Sequence, residues 1–228
     1  MFDEYIDNLK NDIVRETCNL INIPSVSIET PNPDMPFGEG AKNALDYALD
    51  LGNRLGFRTK NIDNYCGYIE FGKGENLLGI IGHLDVVPSG DGWDTPPFSS
   101  TIKNGKIFGR GAIDDKGPVV ASLYAMKAIK DNIKINSRVR LILGINEEKD
   151  WKCIKHYKEK EELPTIGFSP DADFPCIYGM GSILRSGKRN REIFPYHYAG
   201  TFAVDHWHLY FLPDSFPYGQ WRNRPYRT

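Results

Sequence analysis

The chain has 228 residues, of which 40% are hydrophobic and 25% charged, an ordinary globular composition that is long enough to bury a real core. A formal net charge of −2 gives no electrostatic reason to expect nucleic acid or an anionic membrane as a partner. No apolar run approaches the roughly 20 residues of a bilayer span, residues 1–23 lack the pattern of a secretory signal, and Cys18, Cys66, Cys153 and Cys176 form no C-x-x-C pair, so the expectation is a cytoplasmic protein with reduced, packed thiols.

In chain order, residues 5–22 place Tyr5, Ile6, Leu9, Ile13, Val14, Cys18, Leu20 and Ile21 at mostly helical spacing behind early acids, which predicts an amphipathic opening helix. Pro24, Pro31, Pro33 and Pro36 then enforce a loop, and the helical period returns over 41–57, stopping near Gly56. Extended segments follow at "YCGYIEFG" and "ENLLGIIGHLD", the second buried on both faces if its unbroken apolar run is taken at face value. Asn104-Gly105 lies between two alternating segments and signals a hairpin. "GPVVASLYAMKAIKDN" reads as a helix with Pro118 near its first turn, where a missing N–H costs little. "SRVRLILGINEE" is a strand, "DWKCIKHYKEKEE" a helix, and "TIGFSPDADFP" a strand that runs into a turn.

Strands alternating with helices predict a layered α/β domain, whose ligands gather beyond the carboxyl ends of the strands. His83 and Asp85, Glu147 and Glu148, and Asp171 each follow a predicted strand. Taken singly, each has an ordinary explanation: a hydrogen-bonded core histidine, a solvated acidic pair, an Asp-rich turn, a loop entering a helix. Together they form the imidazole and hard-oxygen inventory suited to zinc or a similar divalent ion. On that reading His83 binds a metal and Asp85 lies close enough to orient it or its neighbours.

Four ordered segments, "GHLDVVP" (82–88), "GRGAIDDKG" (109–117), "NEE" (146–148) and "SPDADFP" (169–175), resemble the co-catalytic zinc peptidases that include aminoacylases, succinyl-diaminopimelate desuccinylases and carboxypeptidase G. The "GDGWDTPPFS" and "PDADFP" stretches are most similar to the bacterial carnosinase-type, PepV-like dipeptidases. The resemblance covers roughly residues 5–179 and implies a layered α/β/α catalytic domain with a mixed sheet, here incomplete and without the family's lid domain. It further implies that His83 and Asp171 bind one zinc, that Glu148 binds the other, and that Asp114 bridges both. Glu147 would be the general base and Asp85 the partner beside His83, with a cis peptide at Asp114-Asp115. The implied activity is hydrolysis of short peptides with a free C-terminus, Xaa-His among them, or of other acyl-amino acids. Zinc is the first choice of metal, two ions in the family and one conceivable here, with cobalt or manganese as substitutes. The family often dimerises through its lid, so the resemblance assigns no oligomeric state.

After Gly179 the resemblance stops. Before residue 180 lysine outnumbers arginine 15 to 6, and afterwards arginine outnumbers lysine 6 to 1. We therefore read residues 1–179 as the N-terminal part of a metallopeptidase catalytic domain and 180–228 as a divergent aromatic and Arg-rich tail, the mark of a truncated or frameshifted product. In the family a histidine near the far C-terminus completes the second metal site; His206 and His208 would share a face of a strand, but read more simply as incidental in an aromatic segment. His156, among lysines, reads as solvated surface. Two functional expectations follow: a metal-dependent dipeptidase, or a catalytically inactive metal-binding fragment of one. A sheet edge left open would favour self-association.

Overall fold

The computed structural model describes residues 2–171. The predicted elements all form, and one strand is added that sequence reading missed. Helix α1 (Phe2–Ile21) carries Asp3 and Glu4 in its first turn, where they oppose the helix dipole favourably, and buries Leu20 and Ile21 at its far end. Helix α2 (Glu39–Arg54) buries Ala41, Ala44, Leu45, Ala48 and Leu49 along one stripe. It ends where expected, because Gly56 takes φ 77° and the N–H groups of Gly56 and Phe57 return to the carbonyls of Asn53 and Gly52.

The main sheet has five strands in the order β1-β2-β6-β3-β7. Strand β1 (Arg58–Ile62) is the unforeseen one: only Ile62 is buried, so no apolar alternation announced it, and its antiparallel pairing with β2 (Cys66–Gly72) holds it at the edge. Strand β3 (Leu77–His83) is parallel to β6 (Arg138–Gly144) on one side and to β7 (Ile166–Phe168) on the other. Its nearly continuous burial matches the unbroken apolar run. The hairpin β4 (Thr101–Lys103) and β5 (Lys106–Phe108) turns on Asn104 and Gly105, both at positive φ as a type I′ turn requires.

Helix α3 (Lys116–Asn132) connects β3 to β6 and takes Pro118 in its first turn. It lies on the same face of the sheet as α2: a Cβ on Gly82 would strike Val119 of α3, and one on Gly52 of α2 would strike Ile69 of β2. Helix α4 (Lys152–Lys160) covers the opposite face, where Cys153 and Ile154 approach Gly144 and the Tyr157 hydroxyl meets Arg140. The layering is helix, sheet, helix, with α1 packed on α3. One apolar cluster runs through it, from Leu45 and Leu49 of α2 to Leu141 and Leu143 of β6 and Val120 and Leu123 of α3.

Because β3, β6 and β7 run parallel, their carboxyl ends share one rim of the sheet. Ile166 and Phe168 on β7 are exposed, 62% and 51%, in the outermost described strand on that side. Cys66 and Cys153 are buried free thiols, and Cys18 is half-buried. Cys176, His197, His206, His208 and the whole of the 180–228 tail lie outside the described residues.

Candidate metal centre

The rim gathers the six residues that the sequence offers for the site. His83 is the last residue of β3, Asp85 follows by two, Glu147 and Glu148 follow β6, Asp171 follows β7, and Asp114 immediately precedes the Asp115-Lys116 entry to α3. The buried imidazole of His83 is the hub: Nε2 lies 2.9 Å from Asp114 Oδ1, 3.3 Å from Asp171 Oδ2 and 3.7 Å from Glu147 Oε2. Two sets of three donors, His83 with Asp114 and Asp171, and His83 with Glu147 and Glu148, each fit within 4.8 Å, close enough to hold an ion.

Asp85 reaches the site differently from the simplest expectation. Its backbone carbonyl, at 2.9 Å, faces His83 Nδ1, while its carboxylate Oδ1 is 3.5 Å away. A carbonyl only accepts, so Nδ1 carries a proton, and Nε2, facing the ionised Asp114 carboxylate, donates a second one that a cation bound at Nε2 would displace. The Asp85 carboxylate is occupied elsewhere, accepting the backbone N–H groups of Glu147 at 3.0 Å and Glu148 at 3.1 Å. One fully buried aspartate thereby holds both the imidazole and the turn that carries the two glutamates.

Among the described residues the electrostatics are those of an anionic cluster with a single imidazole against it. Burial pushes the Glu147 carboxyl up to about 8, against the pull of His83, with Asp85, Glu148 and Asp171 adding repulsion. Burial, followed by the charge of Asp114, raises Glu148 as well. Burial alone would lower the His83 pKa, but contacts to Asp114, Asp171 and Asp85 outweigh it and hold it well above the ordinary 6.5. Asp114 is held below the usual carboxylate range, first by its bond to His83 and further by the charge of Arg110. Among the described residues no lysine or arginine is ion-paired with Glu147, Glu148, Asp114 or Asp171.

Several supporting residues escaped the sequence reading. Lys116 is fully buried, and its ammonium donates to the carbonyls of Leu20 at 2.9 Å and Ile23 at 2.8 Å, tying the exit of α1 to the entry of α3. Burial pulls its pKa down to about 7. A cation in the first turn of a helix opposes the dipole, and that misfit was the available signal. Asn146 is buried; its side chain donates to Ser27 Oγ and accepts the Lys152 N–H, fixing the turn between Glu147 and α4. Arg110 and the Trp93 indole both donate to the Ser89 carbonyl, and the guanidinium lies over the indole ring, so "SGDGW" is fastened beside the site. The peptide bond Asp114-Asp115 is cis, as the resemblance implied. His156 stays apart from the cluster, paired with Asp63 and stacked on Tyr65.

Comparison with known proteins agrees with this geometry. The model of peptidase family M20/M25/M40 matches residues 79–210, running past Gly179. "Putative dipeptidase YtjP" of Bacillus subtilis (strain 168) is 52% identical over 177 residues, 77% of this chain and 38% of the relative. A protein of Staphylococcus aureus (strain USA300) with the same kind of name is 44% identical over 185 residues, 80% of this chain and 39% of its own length. Among solved structures, human carnosine dipeptidase 1 superposes with a TM-score of 0.60 at 28% identity, over 70% of this chain and 38% of its own. The M20 family metallo-carboxypeptidase Sso-CP2 of Sulfolobus solfataricus gives 0.57 at 26%, over 70% and 37%. The chain thus spans less than two fifths of the length of these relatives. No helix among the described residues is long and apolar enough to cross a membrane. The family match takes in every strand end that builds the rim and more than half of the sequence, and on that ground the chain belongs to peptidase family M20/M25/M40.

Proposed function

We propose that the rim cluster holds divalent metal, zinc first, and that the chain contributes it to a dipeptidase reaction on short peptides. The observation that carries this reading is the convergence of one buried imidazole with the largely covered Glu147, Glu148 and Asp171 and the more exposed Asp114, without a neutralising lysine or arginine ion pair among the described residues. A cation is the group that such a donor set fits, because carboxylates kept this close repel one another until one is supplied.

In this proposal His83 and Asp171 would hold one ion, Glu148 would hold the other, and Asp114 would serve both. When bound, such ions lower the pKa of water and polarise a scissile carbonyl. Glu147 takes the water's proton and passes one to the departing amine, its carboxylate standing at the rim 3.7 Å from His83 Nε2. Asp85 keeps Nδ1 of His83 protonated and fixes the Glu147-Glu148 turn, so the base and the ligand beside it cannot exchange places. Dipeptides with a free C-terminus, Xaa-His included, are the first substrates to try, and other acyl-amino acids the second.

A second reading rests on one observation: both candidate donor sets use the same His83. A site with one imidazole to share can bind a single ion without turning over substrate. Calorimetric titration of the 228-residue protein with zinc, beside a dipeptide assay and a Glu147→Ala control, separates the two. Two equivalents with Glu147-dependent turnover support the dipeptidase; one equivalent without turnover supports the inactive metal binder. No binding at all rejects both.

A further inference from the structure

Asp114 and Asp115 are consecutive, yet both grip the same histidine from different directions. Asp114 Oδ1 meets the imidazole Nε2 at 2.9 Å, whereas Asp115 Oδ2 accepts the backbone N–H of His83 at 3.1 Å. The strand geometry explains why that N–H needs a partner. Leu84 donates to Gly144 of β6, so alternation points the His83 N–H to the β7 side, where pairing has stopped at Ile80 and Phe168. The Asp115 carboxylate takes the position a further strand residue would have filled.

Two more observations single this carboxylate out. It is fully buried, and its other oxygen, Oδ1, has no hydrogen-bond partner, a costly arrangement that turn formation alone would not demand. Room for it is made by glycine: a Cβ on Gly82 would stand 2.6 Å from Asp115 Oδ2 and 2.6 Å from Val119 Cγ2. The next residue, Lys116, is fastened to the end of α1, so the clamp is anchored to the fold behind it.

We infer that Asp115 is a positioning residue for the metal centre: by holding the His83 backbone from the residue after Asp114, it sets the spacing between the imidazole and the Asp114 carboxylate. This rests on the metal reading proposed above. A buried partner that orients a ligand typically changes metal affinity by about 10- to 100-fold when removed.

The test uses Co²⁺ and the 228-residue protein, reading affinity by titration and coordination geometry by the visible d–d absorption, with folding checked by circular dichroism. Asp115→Ala is expected to bind Co²⁺ about 10- to 100-fold more weakly, with an altered d–d band. Asp115→Asn keeps a carbonyl oxygen for the same N–H and is expected to retain affinity and band. A folded Asp115→Ala protein with the parent's affinity and spectrum overturns the inference, as does an Asp115→Asn protein that loses both. If the alanine variant does not fold, the asparagine variant decides by the same criterion. Failure of the parent protein to bind Co²⁺ is a different result: it defeats the metal reading, and the clamp with it.

Discussion

Glu70, buried on β2, and Glu147, largely covered just beyond the end of β6, have opposite surroundings. Glu70 lies on the α4 face with Arg140 at 2.6 Å and Arg58 at 2.7 Å, and Arg140 itself bonds to the Tyr157 hydroxyl and stacks 3.9 Å over the Tyr68 ring. Each charge there has a partner of opposite sign. Glu147 stands at the rim among Asp85, Glu148 and Asp171, where among the described residues the His83 imidazole alone opposes them, and burial pushes its pKa to about 8. The same residue type thus serves stability in one place and leaves electrostatic stress in the other. A fold that pairs Glu70 so completely has the means to pair an acid; on the reading proposed above, the rim keeps its acids for a cation.

The contrast can be broken at either end. The largest effect is expected at the rim: Glu147→Gln should lower dipeptide turnover by about 10²–10⁴-fold while zinc still binds, because proton transfer is lost and the remaining donors stay. Steady-state kinetics beside a metal titration checks it, and unchanged turnover removes Glu147 from the chemistry. On the paired side, Arg140→Met should destabilise the protein by about 3–5 kcal/mol in a urea or guanidinium titration, because Glu70 is left buried beside only the exposed Arg58. Adding Glu70→Leu to it should recover most of the loss; if the single variant is neutral, the pairing contributes nothing.

Zinc at 100 times its dissociation constant should stabilise the native state by about 2.7 kcal/mol, seen as a rise in Tm that His83→Ala abolishes. Arg140→Met should keep that rise, since it leaves the rim untouched. The smallest effect concerns a third buried acid, Glu16. Burial pushes its carboxyl up, but bonds from Tyr47, Arg54 and Arg15 outweigh this and hold it below the ordinary 4.5. A lowered carboxyl contributes stability above the unfolded value, and the contribution disappears as pH falls through the folded one. Glu16→Gln should therefore cost about 1.5 kcal/mol at pH 7 and progressively less in acid, read from denaturation curves at both pH values. A cost independent of pH would mean that packing, and not charge, holds Glu16.

Much of the architecture was legible because its causes are local. The apolar run of β3, the Asn104-Gly105 turn, Pro118 at the start of α3 and Gly56 at the end of α2 each state their structure within a few residues. Strand β1 was not legible: four of its five residues are polar and its partner is seven-residue β2, so pairing and the cover of α2 define it, not its own pattern. Among the rim residues, the types and order of His83, Asp114, Glu147, Glu148 and Asp171 could be read and matched to a family resemblance. Asp115 is legible only through the cis peptide that the resemblance implies and Lys116 not at all, because what distinguishes them is burial against β3 and α1.

By itself the sequence determined the order of helices and strands and supplied the donors of the rim, since periodicity, turn chemistry and residue type act over short stretches of chain. Only the tertiary structure decided that β6 enters between β2 and β3 and that β7 lies on the far side of β3, with all three carboxyl ends at one rim. That decision comes from burying long apolar strands against α2, α3 and α4, a property of the whole packed sheet. It brings carboxylates from distant segments around one imidazole and aims Asp115 at the backbone of His83.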